Sequence, residues 1–266
     1  MPRPTFIDVH PTYAASEAYK CTNEEPMLQR QLLGNQRFNK AGGIASSGEV
    51  LLSVLLPRSK SVFAIDHGYG SLSACFIKMI MLDTLGPRAM KALLFEKPYK
   101  EFLAAAGRAA VELPTSLAGK LRFDGPNPYP TISVADYMDL RREWINFQDA
   151  MLETVRRKME VVTLIHGDLR DLSQFGQMDC LYVSNAVQGG HNNRDGKSPD
   201  LAYVAPLVRK GGLMLMARGT SSPILPANQH WTHQRRVLAT RLHWNYDLYM
   251  RTAIDAPIVP VVVPNA

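Results

Sequence analysis

Continuous apolar segments alternate with helical stripes along most of the chain. The apolar segments predict buried strands at Gly43–Ala45, Ser61–Asp66, Val161–Ile165, Asp179–Ser184 and Leu213–Ala217. The 3.6-residue stripes predict helices over Val50–Leu56, Ser71–Leu85, Leu140–Met159 and Leu201–Val208, the last of them capped by Lys210-Gly211-Gly212. Strands of continuous apolar character separated by helices are typical of a parallel sheet that is covered on both faces.

This alternation predicts an α/β fold with a Rossmann-like, doubly wound sheet. The chain has 266 residues, about the size at which a single core stops growing, so one domain with appendages is expected. We expect an N-terminal helical cap segment over residues 1–40 and a Rossmann-like domain over 41–266 with an insertion at about 96–139. The tail at Ile258–Val263 predicts an edge strand or a packing arm.

Composition narrows the class of protein. With 46% hydrophobic and 20% charged residues the chain is globular, and a net charge of +6 is only mildly basic. No run approaches the ~18 apolar residues of a spanning helix, and the N-terminus lacks a signal-peptide pattern, so we expect a cytoplasmic protein without stable membrane insertion. Three widely spaced cysteines predict neither a disulfide framework nor a CxxC metal site.

Small and acidic residues cluster where the predicted strands end, which is where doubly wound sheets bind ligands. The first such turn contains Ser46, Ser47, Gly48 and Glu49 and leads into a helix. Backbone amides at a helix N-terminus favour an anionic group, so the turn is a candidate for holding a ligand's carboxylate. The alternative is an ordinary strand-to-helix turn capped by serine. Because the glycines do not form GxGxxG, a dinucleotide pyrophosphate is disfavoured.

Asp66 and His67 end the second strand, 18 residues after Gly48. This is close to the ~20-residue offset at which a carboxylate meets ribose hydroxyls, although Asp66 would also suit a helix N-cap. After the third strand come Gly167, Asp168 and Leu169, where the Asp168 carboxylate could accept from an adenine amine or simply be solvated.

Ser184 and Asn185 follow the fourth strand and would face the reacting end of an adenosyl ligand, since asparagine offers both a donor and an acceptor. Tyr182 either points into the site or fills the core. His67, His166 and His191 lack the spacing of metal ligands, and no metal is expected. A GxSxG elbow and a P-loop are both missing, which disfavours a hydrolase triad or an NTPase.

From Gly42 to Arg218 this order of motifs resembles the class I S-adenosylmethionine-dependent methyltransferase fold. The stretches Ile44–Glu49, Val62–Asp66 and Ser71–Lys78 are most similar to its branch that transfers the 3-amino-3-carboxypropyl group. That branch includes betaine-lipid (BtaA-type) and nicotianamine-synthase-like enzymes and relatives that form azetidine-2-carboxylate. The chain departs from the branch at His67-Gly68-Tyr69 and in lacking a proline after Asn185, beside the acceptor pocket.

The resemblance implies S-adenosylmethionine as donor, methylthioadenosine as product, and a small acceptor or none. Tyr182, Tyr69 and Tyr19 are candidates for a cation–π contact with the sulfonium. A methyltransferase that releases S-adenosylhomocysteine is the alternative. A nucleic-acid-binding protein is a further alternative, with a binding segment formed by Arg235, Arg236, Arg241, Trp231 and Trp244. Nucleic acid is not the expected partner, and the oligomeric state is left open.

Overall fold

The computed structural model describes residues 3–9, 25–120, 134–184, 204–219, 230–238 and 244–252. Its strands are β1 Thr5–Asp8, β2 Phe38–Ile44, β3 Ser59–Asp66, β4 Val162–His166, β5 Met178–Ser184, β6 Val208–Gly219, β7 Trp231–Leu238 and β8 Trp244–Arg251. Its helices are α1 Pro26–Leu33, α2 Tyr69–Phe95, α3 Tyr99–Ala110, α4 Thr115–Ala118, α5 Val134–Trp144 and α6 Asp149–Arg157.

The strands form one sheet in the order β1-β4-β3-β2-β5-β6-β8-β7. The first six of these pair in parallel, whereas β8 is antiparallel to both β6 and β7. The chain runs from β2 outward to β3 and β4 and then returns to the other side of β2 with β5, so the switch point lies between β2 and β5. The predicted fold class, an α/β fold with a Rossmann-like doubly wound sheet, is therefore confirmed, with a helix before β2 and two strands after β6.

Each face of the sheet carries an apolar core. Successive residues of a strand point to opposite faces. Leu213 and Leu215 of β6 accordingly belong to the larger cluster with α2, and Met214 and Met216 to the smaller one with Trp231. Burial of both faces explains why the central strands have continuous apolar sequences. Among the described helices, none is long and apolar enough to cross a membrane.

All five predicted strands are present, but several helices differ from the expectation. The helix predicted over Leu140–Met159 breaks between Trp144 and Asp149, because the turn allows Trp144 and Phe147 both to be buried, with ring centroids 5.4 Å apart. Of the helix predicted over Leu201–Val208, Ala205–Leu207 form one 3-10 turn and Val208 already begins β6.

The cap predicted at Lys210-Gly211-Gly212 was wrong: these residues lie inside β6, where Gly211 has φ +73°. The register between β5 and β6 shifts near this point, from Met178 opposite Val208 to Cys180 opposite Leu213. Residues 209–212 thus form a bulge-like irregularity in β6, and their Lys-Gly-Gly sequence resembles the cap of a helix.

The N-terminal segment contributes to the sheet. Thr5–Asp8 pair with β4 as an edge strand that the sequence did not predict, and the expected boundary after residue 40 falls inside β2. Helices α3, α4 and part of α5 occupy the insertion predicted at about 96–139. The predicted tail strand at 258–263 lies outside the described residues.

Candidate functional site

The turn after β2 has a conformation that depends on small residues. Ser46 has φ +47° and Gly48 has φ +100°, both in the left-handed region. A Cβ on Gly48 would lie 2.8 Å from Sγ of Cys75, so helix α2 packs directly against the turn. The segment that follows is helical as predicted, but Leu51–Leu55 form a π-helix and Leu56–Arg58 a 3-10 turn that contains Pro57. Such π segments often occur at functional sites.

Asp66 joins this turn to the start of α2. Its Oδ2 accepts a hydrogen bond from the backbone N–H of Ser46 at 2.9 Å, and its Oδ1 accepts one from the N–H of Gly68, also at 2.9 Å. Asp66 is thus not the helix N-cap that the sequence allowed, because the N-cap of α2 is Gly68 and has no side-chain cap bond; Asp66 instead accepts from the N–H of that residue. An ionised carboxylate has about four acceptor positions, so these two bonds leave each oxygen with capacity for another donor.

Burial dominates the electrostatics of Asp66, which is 6% exposed. Desolvation raises the pKa of its carboxyl above the usual value, and this effect is opposed by His67, by the N–H groups of Gly68 and Ser46, and by His166. The side chain of His67 is 43% exposed, and its Nδ1 lies 4.0 Å from Oδ1 of Asp66. This histidine is thus the polar group on the solvent side of the carboxylate.

Ser47 and Glu49 support the turn from within. The ammonium of Lys78 in α2 donates to the Ser47 carbonyl at 2.9 Å and forms an ion pair with Glu49, which also accepts from the Ser47 hydroxyl. Neither Glu49 nor Lys78 has exposed side-chain surface. Charges buried in this way are tolerated because they are paired and hydrogen-bonded. The pair holds the turn at a fixed distance from α2, and sequence analysis missed Lys78 because it lies within an apolar stripe.

The loop after β4 meets Asp66 through its backbone. The N–H of Gly167 donates to the Asp66 carbonyl at 3.0 Å. Asp168 is the N-cap of a 3-10 helix, where it accepts from the N–H of Arg170 at 3.0 Å while its own N–H donates to Asp171. Asp168 also lies 3.4 Å from the Arg170 guanidinium, and Leu169 is buried in the smaller core cluster. The predicted adenine contact of Asp168 stays a prediction.

A second polar cluster, which the sequence did not predict, lies beside Asp66. His166 is fully buried at the end of β4, and its Nδ1 lies 2.9 Å from Oδ1 of Asp8 while its Nε2 lies 3.1 Å from the His67 carbonyl. Tyr69 stacks on the His166 ring at 3.7 Å and donates from its hydroxyl to Asp8 at 2.9 Å. The His166 ring is therefore fixed by Asp8 at one nitrogen and by the His67 carbonyl at the other.

Tyr69 is engaged by groups of the chain itself rather than open to a ligand. One contact is the stacked His166 ring, and Nζ of Lys120 lies 5.9 Å from the Tyr69 ring centroid. Burial and the Asp8 carboxylate both raise the pKa of the Tyr69 hydroxyl, which keeps it neutral. Lys120 belongs to the insertion between α2 and α5, so the insertion reaches this side of the site.

The candidates at the end of β5 have different environments. Ser184 is the last described residue of the strand, 9% exposed and with φ +50°, an unusual angle for a residue with a side chain. Tyr182 is fully buried in the larger core cluster, next to Gly43 of β2. Asn185 and Tyr19 lie outside the described residues. The structure thus brings Ser46, Asp66, His67 and Gly167 together, and Ser184 ends the strand on the far side of β2.

Two side chains of the proposed nucleic-acid segment have internal roles. Trp231 is fully buried, so it is not available to stack on a base, and Arg236 is paired with Asp247 at 2.7 Å. Arg235 is exposed. Arg241 lies outside the described residues. Within the described ranges, no group of three or more histidine, cysteine or acidic side chains is arranged to hold a metal ion.

Comparison with known proteins adds no family. No protein-family model matches the sequence, and no curated protein sequence matches it. Solved structures that resemble the fold include the rRNA methyltransferase aviRa from Streptomyces viridochromogenes (13% identity, 85% of this chain and 82% of that one, TM-score 0.43). Others are the N-methyltransferase NodS from Bradyrhizobium japonicum (10%, 85% and 94%, 0.41) and the putative methyltransferase yhhF from Escherichia coli (11%, 88% and 89%, 0.42). Likenesses this distant carry no argument about activity, and the fold assignment rests on the strand order.

Proposed function

We propose that this chain binds S-adenosylmethionine at the carboxyl ends of β2 and β3 and transfers a group from its sulfonium. The observation that supports the proposal most is the position of Asp66. Asp66 is the last residue of β3, which neighbours β2 at the switch point. Its carboxylate accepts from the turn at Ser46 and retains acceptor capacity on both oxygens. The two hydroxyls of a ribose would donate the remaining hydrogen bonds to those oxygens.

The turn at Ser46–Gly48 would lie beside the methionyl arm. The left-handed angles of Ser46 and Gly48 expose backbone in place of bulky side chains, and Lys78 and Glu49 keep the turn rigid from the core side. A turn that is fixed before the ligand arrives loses less entropy on binding. In this proposal Ser46 and Gly48 contact the ligand, whereas Ser47 and Glu49 position them.

The chemistry requires little from the protein beyond placement. When bound, S-adenosylmethionine supplies a sulfonium that leaves as a neutral thioether. Ser184 at the end of β5, together with Asn185, the next residue in the sequence, would orient the group that attacks, and His67 would lie at the solvent side of the ribose. Orientation of this kind is a large contribution to catalysis when the leaving group is already good.

For the group transferred we propose 3-amino-3-carboxypropyl, by transfer to a small acceptor or by cyclisation to azetidine-2-carboxylate, on the sequence similarity of the 44–78 region. Attack on the γ-carbon breaks its bond to sulfur and leaves methylthioadenosine, and the nucleophile gives up a proton. Attack on the methyl carbon would instead leave S-adenosylhomocysteine. The two reactions therefore differ in one product that can be separated and weighed.

The first experiment is binding of S-adenosylmethionine measured by calorimetry. Wild type is compared with Asp66→Asn and with Asp139→Asn, a matched change at a half-exposed carboxylate in α5. Loss of one or two charge-assisted hydrogen bonds should weaken binding by about 2–4 kcal/mol for Asp66→Asn, with no change for Asp139→Asn. Absence of binding by the wild type, or equal binding by all three proteins, would contradict the proposal.

The second experiment identifies the product by mass spectrometry after incubation with S-adenosylmethionine and no acceptor. Methylthioadenosine together with azetidine-2-carboxylate would indicate cyclisation. If the cofactor stays intact, a panel of small amines, hydroxy compounds and acids is added. Methylthioadenosine then supports aminocarboxypropyl transfer, whereas S-adenosylhomocysteine overturns it in favour of methyl transfer.

A further inference from the structure

Arg218 is a buried cation near the end of β6. It is 1% exposed, yet neither its Nε nor its Nη1 has a hydrogen-bond partner in the part of the chain that the structure describes. A guanidinium is always charged and presents five donors, so leaving it buried and unpaired is costly. Native proteins seldom accept such a cost without a partner for the charge.

Asp247, a carboxylate on the neighbouring strand β8, is already paired with other residues. Asp247 of β8 lies opposite Met216, two residues from Arg218, and is fully buried. It accepts from Nε and Nη2 of Arg236, at 2.8 and 2.7 Å, and contacts Nε2 of His233 at 2.9 Å. Asn245, directly opposite Arg218, is a neutral amide. The described polar cluster of Arg218, Arg236, His233, Asn245 and Asp247 therefore contains two guanidinium groups and a single carboxylate.

The position of Arg218 relates it to the proposed site. Met216 pairs with Ser184 of β5, and Arg218 follows two residues later on the same face of β6. Because β5 and β6 are parallel, Arg218 lies at the carboxyl edge, where ligands of doubly wound sheets bind. It is on the side of the switch point opposite Asp66, across β2 and β5.

We propose that Arg218 binds an oxyanion, the carboxylate or phosphate of a small molecule, at the carboxyl end of β6. A guanidinium matches the planar, two-oxygen geometry of such groups, and the low dielectric around a buried arginine strengthens the pairing. The enclosed position suits a small ligand rather than a polymer backbone. This inference rests on the proposed function only for the identity of the ligand: either the acceptor or the methionyl arm of the donor carries the oxyanion.

The first test measures whether the site binds anions. Inorganic phosphate and acetate are titrated at constant ionic strength into wild type, Arg218→Met, Arg218→Lys and the control Arg235→Met, which alters an exposed arginine of β7. The melting temperature of the wild type and of the control should rise with saturation. Affinity for the anions should fall about 10- to 100-fold in Arg218→Met. It should fall less in Arg218→Lys, which keeps the positive charge but cannot donate to two oxygens at once as a guanidinium does.

A second readout separates ligand binding from a structural role. Without anions, Arg218→Met should melt at the same temperature as wild type or higher, because an unpaired buried charge is replaced by an apolar side chain of similar length. A structural arginine would instead show a large fall in melting temperature. The two roles thus predict changes of opposite sign.

A third arm locates the source of the oxyanion. Binding of S-adenosylmethionine is compared with that of methylthioadenosine, which lacks the carboxylate. If Arg218→Met weakens only the former, the anion is the donor's own; if it weakens neither but abolishes the phosphate or acetate response, the anion belongs to the acceptor. The proposal is overturned if Arg218→Met responds to both anions and to the donor as wild type does, or if it melts far below wild type. Since the anion titrations need no donor, they hold even if the proposed function fails.

Discussion

The ammonium of Lys78 and the carboxylate of Glu49 form an ion pair in which neither side chain reaches solvent. The two residues belong to different elements, α2 and the short helix after the Ser46–Gly48 turn, and the same ammonium also bonds the Ser47 carbonyl at 2.9 Å. A charged pair thus connects the first turn of the candidate site to the long helix that covers the sheet.

Removal of one partner should destabilise the fold strongly. Lys78→Met leaves the Glu49 carboxylate buried without its cation, and we expect the free energy of unfolding to fall by about 3–5 kcal/mol. The double variant Glu49→Gln, Lys78→Met should recover most of this loss. Urea denaturation measures both, with Lys91→Met as control, since the partly exposed pair of Lys91 with Asp149 should contribute at most about 1 kcal/mol. A loss below 1 kcal/mol for Lys78→Met alone would contradict the assignment.

The close contact between β2 and β5 gives a second stability prediction. A Cβ on Gly43 would lie 2.3 Å from the backbone carbonyl oxygen of Tyr182, which cannot move without separating the strands. On neighbouring Gly42 a Cβ would meet the flexible Met178 side chain at 3.1 Å. Gly43→Ala should therefore cost about 3 kcal/mol or more and Gly42→Ala about 1 kcal/mol, as measured by urea denaturation. Equal losses in the two variants would show that the carbonyl can give way.

The central sheet was predictable because its strands are buried on both faces. The interiors of the segments from Ser61 to Asp66 and from Asp179 to Ser184 are continuously apolar, and each segment ends at a polar residue, a pattern that local sequence can show. The edge strand Thr5–Asp8 ends on an aspartate in the same way, but four residues are too few to establish a period. Strands β7 and β8 were missed because their polar residues are paired with each other inside the sheet.

Parts of the site escaped prediction for a related reason. Lys78 and Arg218 are charged residues whose importance comes from burial, and Asp8 matters through its contact with the buried His166; both are properties of the tertiary structure. Gly48 and Asp66 could be predicted from the sequence because a left-handed turn and a carboxylate at the end of a strand have local sequence signatures. Sequence therefore indicated the edge of the sheet at which these candidate residues lie, but not the charged pairs that fix their positions.

Cys75 and Cys180 should be unreactive while the chain is folded. Cys75 and Cys180 are fully buried, and desolvation raises the pKa of each thiol to about 12. In a Cys21→Ser background, Ellman's reagent at pH 8 should therefore titrate no thiol in the native protein and two in denaturant. Rapid labelling of the native variant would show that the packing of Cys75 against Gly48 opens readily.

Ligand binding should depend on pH through Asp66. Burial raises the pKa of this carboxyl, so its folded-state value lies above that of the unfolded chain. As the pH falls through the raised value the carboxylate gains a proton, and a neutral carboxyl accepts hydrogen bonds from ribose hydroxyls less well. Affinity for S-adenosylmethionine should therefore decline on the acid side at a higher pH than an ordinary aspartate would cause.

The same shift affects stability with the opposite sign. A folded state that binds the proton more tightly is favoured at low pH, so the contribution of Asp66 is fully present below the unfolded pKa and is lost as the pH rises through the folded one. In Asp66→Asn the acid decline in affinity and this loss of stability should both disappear, leaving weak, nearly pH-independent binding. Calorimetry and urea denaturation at matched pH values measure the two slopes. If wild type and Asp66→Asn gave parallel binding profiles, another group would control the acid side, and the role of Asp66 would be limited to its hydrogen bonds with Ser46 and Gly68.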